Sequence, residues 1–191
     1  MRESYGSTVA DLNRVLNDFL RTRSGVLEAV AEAIARSVRA GGKVLLFGNG
    51  GSAAEAQHFA AELVNGMQDR GRPPIPAIAL TTDTSALTAV GNDRGFAFVF
   101  SRQVEALGRA GDVALALTTS GRSPDILEAL RSARAGGLVT VALTGEGGGE
   151  AGALADHCLD VPSRSTARVQ EAHLLILHVL AERLETDLGA L

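Results

Sequence analysis

A chain of 191 residues, 46% of them apolar, is long enough for one domain with a real core, and its net charge of −4 excludes a broad nucleic-acid or anionic-membrane face, which would need a basic field. Aromatic residues are scarce at 4%, which favours helix-rich packing over an all-β sandwich, and the single cysteine, Cys158, excludes an intrachain disulfide or a cysteine-built zinc cluster. The opening MRESYGSTVADLN has no apolar signal-type stretch, and the longest apolar run, LLILHVLA, is broken by His178 and too short to span a bilayer. These features point to a soluble, cytoplasmic protein that engages neither membrane nor nucleic acid.

In chain order, Leu12, Val15, Leu16, Phe19 and Leu20 recur at helical spacing. Leu27, Val30, Ile34 and Val38 do so again, before a stop at Gly41-Gly42. The expectation is a helical hairpin over 1–40, suited to oligomerisation, ahead of a main domain over 41–191. Five short apolar runs follow: KVLLF, AIAL, VALAL, VTVAL and CLDV. They alternate with the helical stretches SAAEAQHFAAELVNG, FAFVFSRQVEALG and SPDILEALRSARAGG. Apolar strands separated by helices predict an α/β chain, a three-layer αβα sandwich around a five-stranded parallel sheet. TGEGGGE, at 144–150, reads as a flexible loop. The last helix, about Thr166 to Glu185, is apolar on nearly every side from Ala172 to Ala181 except at His173 and His178. Such a helix is covered from several directions, and a second subunit is one source of cover.

Two strand-to-helix loops suit a ligand, because parallel sheets bind at the carboxyl ends of their strands. GNGGS (48–52) lets the backbone approach closely at Gly50 and Gly51, and it places Asn49 beside Ser52, the expected N-cap. TTSGRSP (118–124) crowds the hydroxyls of Thr118, Thr119, Ser120 and Ser123 ahead of Pro124, with Ser123 as cap. Capping alone accounts for a lone Ser or Thr. Four hydroxyls in six residues, beside the N–H groups and partial positive charge of a helix start, favour an anion such as phosphate. Neither loop has the Gly-Lys-Ser/Thr of a P-loop, nor does the first match GxGxxG.

Metal-type side chains form a second group. His58 and Glu62 stand at i and i+4 on one helix face, a spacing equally met in ordinary surface pairs. Gln170 and His178 are eight apart on the last helix, about 80° apart around its axis and about 12 Å along it. One ion reaches both only from near the midpoint with the side chains extended; otherwise the two serve different copies of the site across a subunit boundary. His178, set among leucines, also has a simpler reading as a core imidazole bonded to a carbonyl. His173, His157 and Cys158 read as structural.

Four segments together resemble the phosphoheptose isomerases of the sugar-isomerase (SIS) domain family: GNGGSAAEAQHFAAEL, AVGNDRGFAFVFSRQVEALGRAGDV, TTSGRSPDI and ARVQEAHLLILH. The likeness covers about Gly41 to Glu182. It implies a flavodoxin-like fold and a homotetramer with active sites at subunit interfaces. The reaction implied converts sedoheptulose 7-phosphate to D-glycero-D-manno-heptose 7-phosphate. One zinc per subunit would be held by residues matching His58, Glu62, Gln170 and His178. Implied sugar-phosphate contacts are Asn49, Gly50, Gly51, Ser52, Asn92, Asp93, Thr118, Thr119, Ser120 and Ser123, with Glu62 and Gln170. The chain departs from the family at Ala167, where many members carry Asp, and this bears on which sugar hydroxyls are held.

Isomerisation of an aldose to a ketose moves a proton between adjacent carbons through an enediol. The expected base is Glu62 and its acid/base partner His178, with zinc polarising the oxygens. Alternatives on the same fold are a non-catalytic SIS tetramer that binds the bacterial replication initiator, and a sugar-phosphate sensor. Parts of the chain, including Ala167, resemble the former, which lacks the acid/base pair; the latter needs a DNA-binding segment that this sequence does not show.

Overall fold

The computed structural model describes residues 2–189; residues 1, 190 and 191, at the ends of the two expected segments, lie outside it. Arg2–Arg39 form one continuous helix, α1, in place of the expected hairpin. The reason is phase. Phe19 and Val30 are eleven residues apart, three turns at 3.6 residues each, so both apolar groups fall on one stripe. Val15, Phe19, Leu27, Val30 and Ile34 all enter the same core. Gly25 alone did not break the helix.

Beyond α1 run β1 (Val44–Gly48), α2 (Gly51–Asn65), β2 (Ala77–Ala79), α3 (Thr84–Arg94), α4 (Ser101–Leu107) and β3 (Val113–Thr118). They are followed by α5 (Pro124–Ala135), β4 (Val139–Thr144), α6 (Gly149–Leu154), β5 (His157–Asp160) and α7 (Thr166–Leu188). The strands pair in parallel throughout, in the order β2-β1-β3-β4-β5. Every residue of β1 and β3 is buried, which is why both read as unbroken apolar runs. Alternate side chains serve opposite layers. Val44, Leu46, Val113, Leu115 and Leu117 meet α1, α2 and α7. Leu45, Phe47, Ala114 and Ala116 meet α4, α5 and α6. The result is the predicted three-layer sandwich.

Local differences have local causes. FAFVFSRQVEALG splits into a 3-10 turn at Phe96–Phe98 and the shorter α4. α3 has no buried residue and so no apolar period to read; Asp83 starts it by accepting from the Ala86 N–H at 2.9 Å. The TGEGGGE stretch gives rise to α6, which buries only Ala151.

The strand order reverses direction between β1 and β3, whose carboxyl ends therefore diverge into separate loops and leave a crevice. The loop after β1 leads into α2 and the loop after β3 into α5, so both hydroxyl-rich segments meet there.

Candidate active site

The turn after β1 depends on two glycines. Gly50 has φ of 55°, a left-handed conformation that side chains disfavour, and it is the true N-cap of α2. A Cβ on Gly51 would lie 2.5 Å from Nε2 of Gln170, so a side chain there would displace the Gln170 carboxamide from its place over the turn. Ser52 is thus the second residue of α2 and not its cap. It is 3% exposed, and its hydroxyl bonds to the Glu55 side chain. Asn49 ties the two loops together by donating from Nδ2 to Oδ2 of Asp125, in the first turn of α5, at 2.7 Å.

After β3, Thr118 is buried and its Oγ1 accepts from the Gly121 N–H at 3.2 Å, which shapes the turn. Ser120 Oγ accepts from Arg122 N at 3.3 Å. Ser123 caps α5 by backbone position, with Pro124 following, yet makes no side-chain capping bond. Its hydroxyl is therefore available to the crevice. Asn49, Ser52, Thr118, Thr119, Ser120, Ser123 and Gln170 line a cavity of about 70 Å³. The lining is almost wholly hydroxyl and carboxamide groups, so this polar space suits a small oxyanion. Six of the expected phosphate contacts and Gln170 converge here; Gly50 and Gly51 form the adjoining turn.

The metal-type residues gather separately, further along α2 and α7. His58 Nε2 and His178 Nε2 are 2.8 Å apart with the rings nearly edge to face, so one nitrogen carries the hydrogen and the other accepts. Glu62 Oε1 lies 3.8 Å from His58 Nε2. Two imidazoles, a carboxylate and a carboxamide oxygen are donors that zinc accepts. Nitrogen ligands on a tetrahedral zinc sit about 3.3 Å apart, so the pair need only open slightly to admit one. Among the described residues no three His, Cys, Asp or Glu close on one point as they stand. Gln170 instead lines the anion-sized cavity, away from the imidazole pair.

Asn92 and Asp93 lie outside this grouping. They are exposed at the end of α3, where Asn92 Nδ2 donates to Asp93 Oδ1 at 2.7 Å. Ala167 is exposed in the first turn of α7, and the neighbouring Arg168 is occupied by Glu171 at 2.5 Å. His157 begins β5 as expected, and Cys158 is half-buried beside Thr144.

Two features escaped the sequence reading. Glu55 is 11% exposed and faces the fully buried His173, and burial lifts its carboxyl to about 7 against the pull of the Ser52 hydrogen bond. The spacing Ser52-x-x-Glu55 has the form of a capping box, which was the available signal. Arg72, 7% exposed, donates from Nη2 to the carbonyls of Glu62 at 2.9 Å and Leu63 at 2.8 Å, and from Nε to Glu185 Oε1 at 3.3 Å. A lone arginine in a polar loop carried no such signal.

Comparison with known proteins places this geometry. The SIS domain profile matches residues 9–145. Phosphoheptose isomerase 1 of Campylobacter jejuni is 54% identical over 83% of this chain and 84% of its own. The phosphoheptose isomerase of Aromatoleum aromaticum is 50% identical over 91% and 92%. Among solved structures, a phosphoheptose isomerase from Neisseria gonorrhoeae superposes with a TM-score of 0.91 at 41% identity, over 97% of this chain and 98% of that one. Another from Francisella tularensis gives 0.92 at 38%, over 96% and 97%. The sugar isomerase domain of a transcription factor from Sphaerobacter thermophilus, at 22% identity and a TM-score of 0.67, shares the fold.

Proposed function

The chain belongs to the phosphoheptose isomerases of the SIS domain family, and we propose that it interconverts sedoheptulose 7-phosphate and D-glycero-D-manno-heptose 7-phosphate with Glu62 and His178 moving the proton. The observation that carries this assignment is the joining of two devices by two helices. α2 and α7 both run from the anion-sized cavity to the carboxylate–imidazole group. The relatives of highest identity named above are phosphoheptose isomerases, which supports catalysis over the initiator-binding alternative.

In this account the sugar phosphate rests among Ser52, Thr118, Thr119, Ser120 and Ser123, at the N-terminal ends of α2 and α5, where unpaired N–H groups favour negative charge. Glu62 takes the proton from the carbon beside the carbonyl and delivers it to the former carbonyl carbon, which regenerates the carboxylate. His178, from the opposing helix, gives and takes the oxygen-bound proton as the carbonyl shifts. Without a metal between them His58 holds His178 by the contact between their Nε2 atoms; with one there, the two imidazoles would be held as fellow ligands. Gln170 contacts substrate from the cavity side. A zinc ion, one per subunit, would be held by His58, His178 and Glu62, with Gln170 completing the set by turning its carboxamide out of the cavity. It would supply Lewis-acid stabilisation of the developing enediolate oxygens.

Asn92 and Asp93, exposed in one chain, would meet substrate in a neighbouring subunit's site. That placement supports a homotetramer whose sites lie at its interfaces. Leu174, Leu175 and Val179 stay more than a third exposed on α7, and α1 leaves Leu20 bare. Helix faces this apolar suit burial against further copies. Among the described residues no helix is long and apolar enough to cross a membrane. A phosphorylated sugar as substrate supports a cytoplasmic setting.

The test is direct. Sedoheptulose 7-phosphate incubated with zinc-loaded protein should yield aldoheptose resonances by NMR, and chelation should slow the reaction at least about tenfold, with recovery on adding zinc. No product from the zinc-loaded chain contradicts the assignment.

A further inference from the structure

Behind the anion cavity, two buried polar atoms face each other without a hydrogen-bond partner: Glu55 Oε2 and His173 Nδ1, 3.9 Å apart. Buried polar atoms are nearly always paired, so such a couple calls for a physical account. The other end of the imidazole is fixed. His173 Nε2 lies 3.1 Å from the Thr144 carbonyl, which can only accept, so Nε2 carries the ring hydrogen. His173 is fully buried and burial lowers it to about 4, so near neutrality Nδ1 is a bare acceptor. An ionised Glu55 opposite it would set lone pair against lone pair. A proton on Oε2 removes the conflict and needs only roughly 1 Å of closure to bond Nδ1.

The other face of the carboxyl group meets Ser52, whose hydroxyl lines the cavity. This gives the pair a consequence for binding. An ionised Glu55 holds the Ser52 hydrogen in a charge-assisted bond and places negative charge beside any incoming anion. A protonated Glu55 accepts that hydrogen weakly, leaving the hydroxyl free to turn toward the anion. The groups facing Glu55 are Ser52 on its own helix and His173 on α7. Gln170 on α7 is neutral, Asp125 on α5 is held by Asn49 across the cavity, and His58 lies a turn further along α2.

We propose that Glu55 and His173 act as a proton-sharing pair that positions the Ser52 hydroxyl, so that an oxyanion entering the cavity is bound together with one proton from solvent. The proton resides on Glu55 Oε2, directed at His173 Nδ1. Glu55 is then a positioning residue that acts through Ser52, and its role rests on the cavity being the phosphate site.

Inorganic sulfate is the suitable probe, since it stays a dianion across the range where phosphate itself titrates. Isothermal titration of the full chain should give a sulfate Kd about tenfold weaker at pH 8.5 than at pH 6. Competition with sedoheptulose 7-phosphate locates the ion in the cavity. Glu55→Gln keeps the shape, donates to His173 Nδ1 and accepts from Ser52. It should bind sulfate as tightly at pH 8.5 as at pH 6. A wild-type Kd that does not change with pH overturns the proposal even if Glu55→Gln does not fold, and so does a Glu55→Gln curve that keeps the wild-type slope. Sulfate that fails to bind at either pH overturns the cavity reading as well, which separates the two failures.

Discussion

Glu62 meets the requirements of a base that works on carbon. Its side chain is 21% exposed, open enough for a substrate to reach and enclosed enough to orient. It sits one turn beyond His58 on α2. Glu62→Gln preserves shape and removes basicity, so turnover should fall by about 10²–10⁴ while KM changes little; steady-state kinetics on a variant with an unaltered Tm would check this. Glu55 makes a separate prediction about stability. Its folded value of about 7 is above the ordinary 4.5, so its favourable contribution is complete below 4.5 and lost as pH rises through 7. His173, lowered from 6.5 to about 4, contributes above 6.5 and loses that contribution as pH falls through 4. Thermal melts should therefore show Glu55→Gln matching the wild type near pH 4.5 and exceeding it by several degrees at pH 8.5. Equal melting at the higher pH contradicts a buried, costly carboxylate.

The elements are joined by a clamp that sets where Glu62 stands. Arg72 gathers the last carbonyls of α2, and Glu185 of α7 accepts from it and from the backbone N–H groups of Met67, Gln68 and Asp69. Burial pushes Glu185 up, but those backbone donors and Arg72 outweigh it and hold its carboxyl below the usual range. The clamp thus fixes the helix that bears Glu62 against the helix that bears His178. Arg72→Met leaves Glu185 and the carbonyls of Glu62, Leu63 and Pro73 each one donor short; it should cost about 3–5 kcal/mol in denaturant unfolding. The strands and most of the helices were legible because full burial or one-sided burial leaves a periodic trace in sequence. α3 left none because it buries nothing, and α1 read as two helices because its apolar residues fall in two groups, Leu12 to Leu20 and Leu27 to Val38, although both share one phase. Both loops of the cavity were legible from their hydroxyls. The clamp and the Glu55–His173 pair were not, because each joins residues more than a hundred positions apart.

At the scale of the molecule, the cavity sits where the sheet order reverses, and the helices that frame it also carry the bare apolar faces. Leu175, 41% exposed, lies on α7 only three residues from His178. Assembly and catalysis should fail together: Leu175→Glu should shift the sedimentation of the chain toward its 19.7 kDa monomer and remove most activity. A fully active monomer contradicts sites built between subunits. The separation of Gln170 from His178 also belongs to this scale, since one helix supplies the cavity with the first and the imidazole pair with the second.

Exchange of a carbon-bound proton of the sugar by Glu62 can be followed in deuterated water. NMR of sedoheptulose 7-phosphate with the wild-type protein should show deuterium entering at the carbons that exchange the carbonyl, and Glu62→Gln should show almost none over the same period. Incorporation by Glu62→Gln at the wild-type rate would contradict the account.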